Sequence, residues 1–157
     1  MRGTEMEPLP PKERVLEACR MLLSGDHPLL ESAHQLAGLH ERRMQCALGS
    51  TAEIDQRRAH LVLIIDRWIA TEVPLPHGGA HMHTETVGTV VDRMAQFSTC
   101  AYAALRTAPD WIVHDAWQRL AELALGYQDL AFEVRAGIRR LPDLGGHRPY
   151  DFDQGWF

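Results

Sequence analysis

The sequence predicts an all-α protein, an up-down bundle of four long helices preceded by a short N-terminal helix. Apolar residues recur with a period near 3.6 through four long segments. The prolines fall between those segments rather than inside them, and no stretch alternates apolar and polar residues as a half-buried strand does.

Residues 1–10 are polar and proline-rich and are expected to be a disordered start. Pro11, whose missing N–H costs nothing in a first turn, opens the short helix, and Ser24-Gly25-Asp26 stops it. Pro28 opens the second helix, which runs to about Leu48, before Gly49. Ser50 and Glu53 have the spacing of a capping box and open a third helix that reaches about Thr71. EVPLPHGGAHMH (72–83) is a loop by composition, and Thr84 is expected to cap the fourth helix, which continues to about Arg106. There Glu85 would sit in the first turn, against the positive end of the helix dipole. Pro109-Asp110 starts a long fifth helix that Leu141-Pro142 stops. Short loops make consecutive helices antiparallel neighbours, so 11–141 reads as one domain and 142–157 as a tail. Tyr150, Phe152, Trp156 and Phe157 give that tail the means to anchor over a groove or on a neighbouring subunit.

The 157 residues, 45% of them hydrophobic, suffice for one core. Acidic residues outnumber basic ones, 21 to 16, for a net charge of -5. A nucleic-acid partner, which needs a basic face, is therefore not expected. Cys19, Cys46 and Cys100 are odd in number and far apart, which fits neither a disulfide framework nor paired zinc ligands. They read as reduced, buried thiols of a cytoplasmic protein. No apolar run is long enough to span a bilayer, and the N-terminus lacks the apolar stretch of a signal peptide, so no membrane role or export is expected.

Projection at 100° per residue shows polar residues where the core should be. His40 lies in the second helix's stripe of Leu29, Ala33, Leu36, Met44 and Ala47. Arg58 lies among Ile54, Leu61, Ile65 and Trp68 of the third helix. Tyr127 lies among Leu120, Leu123, Ala131, Val134 and Ile138 of the fifth. A buried guanidinium needs a carboxylate, and the fourth helix supplies Glu85 and Asp92, two turns apart. That helix buries Val87, Val90, Val91, Met94, Ala101 and Leu105, while its opposite face carries the small residues Gly88, Ala95, Thr99 and Ala103. The small residues suit close approach by another helix, so the chain is expected to form a homodimer through long helices.

At these residues the chain resembles DUF4254, a bacterial family of unknown function. GLHERR, STAEIDQRRAHLVLIIDRWI and above all HTETVGTVVDRM carry the resemblance, from about His34 to Leu141. The last resembles the family's Thr-Glu-Thr, Gly, Asp-Arg-Leu signature and places Glu85, Gly88, Asp92 and Arg93 on its positions, with Met94 where Leu is usual. His40-Glu41 is similar to the family's His-Glu element. Where the family tends to read Arg-Asn-Asp, only Arg58 is kept and Ala59-His60 follow. The resemblance implies no particular activity.

Two function classes stay open. In a small-molecule binder or small biosynthetic enzyme, His40, Glu85 and Asp92 would supply the catalytic groups, and Arg58, Arg93 and Tyr127 would bind a small anionic ligand. In an interaction module the same polar residues would fix helix register. A third reading makes His81, His83 and Glu85 metal ligands, since imidazole and carboxylate suit zinc, iron or manganese. The Glu-x-x-His pairs of di-iron bundles are missing, however, so no metal or other cofactor is expected.

Overall fold

The structure is a computed structural model that describes residues 6–20, 27–47 and 49–142. Five helices follow one another: α1 (Lys12–Cys19), α2 (Pro28–Gln45), α3 (Ala52–Glu72), α4 (Val87–Thr107) and α5 (Asp110–Arg135). The all-α expectation holds, with one small addition. Two-residue strands β1 (His81–Met82) and β2 (Arg139–Arg140) pair in parallel and tie the α3–α4 loop to the chain beyond α5. Leu48, Ser24-Gly25-Asp26 and the aromatic tail lie outside the described residues.

Tertiary contacts decide where the helices begin and end. Pro28 does occupy the first turn of α2, but the cap is His27, whose Nδ1 accepts from the Leu29 N–H at 3.1 Å. Its Nε2 therefore carries the proton, which it donates to the Glu7 carbonyl at 2.6 Å. The capping box at α3 does not form. Thr51, not Ser50, precedes the first helical residue, which puts Glu53 one position too early to reach back. At α4 the cap is Thr86, not Thr84, and its hydroxyl accepts from Thr89 N–H at 3.2 Å. Glu85 consequently precedes the helix and is not in its first turn. The fifth helix stops at Arg135, short of Leu141, because Gly137 takes φ 74°. Ile138 N–H then donates to Glu133 carbonyl and Gly137 N–H to Val134 carbonyl, the paired bonds of a Schellman end.

Helix α4 is the centre, meeting α1, α2, α3 and α5, whereas α5 meets α4 and α1 but neither α2 nor α3. Val87, Val90, Val91, Met94, Ala95 and Ala101 of α4 are buried, as are Leu29, Leu36, Ile54, Ile65 and Leu130 on its neighbours. Each fully buried branched side chain contributes roughly 1.5–3 kcal/mol. Met44, Ala47, Leu105 and Ile138, expected in the core, are exposed because they lie at or beyond helix ends that extend past the packed length. The segment before α1 also departs from expectation. Residues 6–10 are described, and Leu9 is 1% exposed. The Trp68 indole donates to Pro8 carbonyl at 2.9 Å and the Tyr127 phenol to Pro10 carbonyl at 2.7 Å. Of the cysteines only Cys19 is buried, while Cys46 and Cys100 face solvent.

The small-residue face of α4 is used inside the chain. A Cβ on Gly88 would come within 2.5 Å of Val62 O and 2.7 Å of Asp66 Oδ1, both on α3. Thr99 Oγ1 reaches the Ala95 carbonyl of its own helix at 2.9 Å and lies 3.5 Å from Ala37 O of α2. Gly88 and Thr99 of that face are thus set against α3 and α2, and Ala95 is fully buried. Gly88→Ala should destabilise the fold by about 1–3 kcal/mol, as overpacking against backbone does. Gly126→Ala, on the exposed face of α5 with nothing within 4 Å of a new Cβ, should stabilise by about 0.5–1 kcal/mol. Paired urea melts of the two variants check both signs.

Candidate functional site

Three of the residues singled out by periodicity meet at one carboxylate. Asp92 on α4 faces His40 on α2 and Arg58 on α3. His40 Nε2 lies 2.7 Å from Asp92 Oδ1. Arg58 presents its edge, Nε to Oδ1 at 3.3 Å and Nη2 to Oδ2 at 2.7 Å. Such two-point pairing is stronger than a single neutral hydrogen bond and fixes orientation as well. The remaining guanidinium arm, Nη1, donates to Asp55 at 2.9 Å, and Asp55 also accepts from Arg43 at 2.9 Å. A row His40, Asp92, Arg58, Asp55, Arg43 thus runs from a buried imidazole, 3% exposed, to solvent.

The charges hold each other in their ionised forms. Burial alone would raise the Asp92 carboxyl, but hydrogen bonds from His40 and Arg58 outweigh it and leave the group below its usual 3.8. The Asp92 hydrogen bond likewise raises Arg58, against the opposing effect of burial. A depressed carboxyl contributes stability that is present above 3.8 and is lost as pH falls through the folded value.

The other candidates lie apart from this cluster. Glu85 pairs with Arg93, one arm of the guanidinium at 3.2 Å and the second closer, so Glu85 and Asp92 do not share a site. Tyr127 sits in the contact between α5 and the segment before α1, where its hydroxyl is committed to Pro10. His81 is exposed, and His83 turns its Nδ1 to the backbone of Glu85, 3.1 Å from that residue's N–H, rather than joining its carboxylate around a common centre. Among the described residues no three His, Cys, Asp or Glu side chains are placed to hold a metal ion.

Asp66 is a polar neighbour on the same face of α3 that the sequence reading missed. Its Oδ1 accepts from the Gly88 N–H at 2.7 Å, so α3 supplies a carboxylate to the first turn of α4. Burial raises this carboxyl despite that hydrogen bond and a second from Thr86. The signal was available. Asp55, Arg58, Val62 and Asp66 follow at steps of three and four, which makes one face of α3.

A family model described as "Protein of unknown function (DUF4254)" matches residues 40–142. The chain belongs to this family. The DUF4254 match takes in the end of α2 and all of α3, α4 and α5, with His40, Arg58, Glu85, Asp92 and Arg93 inside it. No curated protein and no solved structure matches the chain. Among the described residues no helix is long and apolar enough to cross a membrane.

Removing one member of a buried pair costs about 3–5 kcal/mol where the survivor is fully desolvated. Arg58 is 22% exposed, so solvent relieves part of that cost. Arg58→Met alone should therefore destabilise by about 2–4 kcal/mol. Arg58→Met with Asp92→Leu should recover much of the loss, because no unpaired charge remains. Denaturant midpoints of the wild type, both single variants and the double variant measure the coupling directly.

Proposed function

We propose that this protein binds a small anionic molecule, and that the ligand is seated in the cleft between α1, α2 and α4 rather than at Arg58. The single observation that carries the reading is a pair of guanidinium groups, Arg20 and Arg106, lining a cleft of about 600 Å³. Among the described residues neither is in an ion pair. That volume suits a metabolite-sized ligand. The Arg20 guanidinium stands 4.9 Å over the Tyr102 ring, which holds the cation in place before a ligand arrives. Thr99 and Gln45 add neutral hydrogen-bonding groups, and Met44 and Leu105 give the cleft an apolar rim. The ligand class that fits is a carboxylate or phosphate carried on an apolar or aromatic body.

Arg58 is the poorer gripping group because Asp92 and Asp55 already hold its donors, so an incoming anion would have to displace a carboxylate. Binding is also favoured over catalysis. Cys19 is the nucleophile nearest to hand in the cleft, but burial pushes its thiol up to about 12, where little thiolate exists. Two exposed thiols, Cys46 and Cys100, suit a reducing compartment, and we place the protein in the cytoplasm.

A second reading, as a homodimeric interaction module, is favoured by the outer face of α5. Trp111, Gln118, Leu125 and Phe132 follow at intervals of seven and make one row, in which Trp111 is 72% and Phe132 64% exposed. Such a row suits a second copy, and the mass of Phe132→Glu against wild type by light scattering tests it.

The anionic aromatic dye 8-anilinonaphthalene-1-sulfonate serves as a probe of the cleft. Wild-type protein should bind it with an affinity that falls with salt. Arg20→Gln and Arg106→Gln should each weaken binding about tenfold, the loss expected for one charge-assisted hydrogen bond. Equal dye affinity in wild type and both variants would sink the reading.

A further inference from the structure

The cleft between α1, α2 and α4 carries charge of both signs. Arg20 closes α1, Arg106 stands in the last turn of α4, and Glu41 of α2 lines the same space. On α2, Ala37, Glu41 and Gln45 follow at steps of four, and on α4, Thr99, Tyr102 and Arg106 follow at steps of three and four. Each row is one strip of its helix, so the carboxylate belongs to one wall and the two guanidinium groups to the others. Cys19 and Ala37 are buried and form the floor, and Glu41 is half-buried above them. Met44 and Leu105, 54% and 56% exposed, form the apolar rim.

Among the described residues Glu41 makes no ion pair, and neither does Arg20 or Arg106. Three charges thus face one space without neutralising one another by contact. That combination discriminates between ligands. A simple anion would gain the guanidinium groups but also meet the like charge of Glu41, in a partly enclosed space where repulsion is screened less than at an open surface. A ligand that also carries an ammonium group turns the same carboxylate into a partner, through a charge-assisted hydrogen bond. A metal ion is not the counter-charge that Glu41 suits, because among the described residues no three His, Cys, Asp or Glu side chains gather around a common centre.

We infer that the ligand of this cleft is a zwitterion, an α-amino acid with an apolar or aromatic side chain. Its carboxylate meets Arg20 and Arg106, its ammonium group donates to Glu41, and its side chain lies against Met44 and Leu105. The inference rests on the anion-binding reading of the cleft and adds to it the class of molecule and the role of Glu41.

Calorimetric titration of the full chain with two matched pairs tests it: phenylalanine against 3-phenylpropionate, and leucine against 4-methylpentanoate. Each pair differs only in the amino group. In the wild type at least one amino acid should bind about tenfold more tightly than its deaminated partner, the gain of one charge-assisted hydrogen bond at a half-buried site. Glu41→Gln keeps the shape of the side chain and should erase that difference, while the deaminated acid binds as well as before or better. Thermal melts of Glu41→Gln should match the wild type, which separates lost recognition from lost fold. Failure of the underlying reading looks different, because then neither Arg20→Gln nor Arg106→Gln weakens binding of the deaminated acids or the dye. Arginine-dependent binding of the deaminated acids with no advantage for either amino acid overturns the inference alone, as does an advantage that survives Glu41→Gln. No binding of either amino acid also overturns it.

Discussion

One carboxylate, that of Asp92, holds the central helix to two neighbours at once. It accepts from His40 of α2 and at two points from Arg58 of α3. Because α4 is also the helix that α1 and α5 pack on, its rotation and height set the positions of everything else. Apolar contacts alone would tolerate a slide of one helix along another, since a stripe of Val, Leu and Ala looks much the same one turn further on. Hydrogen bonds at 2.7 Å to a single half-buried carboxylate do not tolerate it. The same logic operates one end further along, where Asp66 of α3 takes the Gly88 N–H and leaves no space for a side chain. Two carboxylates, one reaching from α4 and one from α3, thus pin this helix pair at two heights.

The arrangement bears on function through what it leaves unoccupied. A guanidinium already bridging two aspartates is satisfied, whereas Arg20 and Arg106 line an open cleft that Glu41 also lines and make no ion pair among the described residues. Polar residues buried at helix crossings and polar residues lining a cleft look alike in a sequence. They differ in whether their hydrogen-bonding capacity is spent. Here Arg58 and Asp92 have their donors and acceptors committed to one another and to neighbours, whereas Arg20 and Arg106 make no ion pair among the described residues.

Much of this was legible in the sequence, and the misses share a cause. The period of 3.6 located the helices and brought His40 and Arg58 to light, because a polar residue inside an apolar stripe must be paired in the fold, and the need of Arg58 for a carboxylate pointed to Asp92 on the fourth helix. Helix ends were misplaced where a tertiary contact chose between neighbouring candidates. Thr84 and Thr86 are equal as caps by residue type, and Asp66, from a different helix, decides for the latter by binding the Gly88 N–H. Gly137 was a visible stop signal that the nearby Leu141-Pro142 masked. Glu85 was assigned to the cluster because it lies two turns from Asp92 on an extended helix. Once the helix begins at Val87, that geometry no longer applies and Arg93 takes the carboxylate. The Arg20 and Arg106 cleft was invisible because its walls come from α1, α2 and α4, and no single helix shows the pattern.

The most direct measurement is the titration of the Asp92 side-chain carboxyl, followed by carbon NMR in the intact protein. If His40 and Arg58 both donate to it as described, the carboxyl titrates below 3.8, and Arg58→Met moves it upward. An Asp92 that titrates at or above 3.8 in the wild type, or one indifferent to Arg58→Met, would contradict the claim that this carboxylate holds the three helices together.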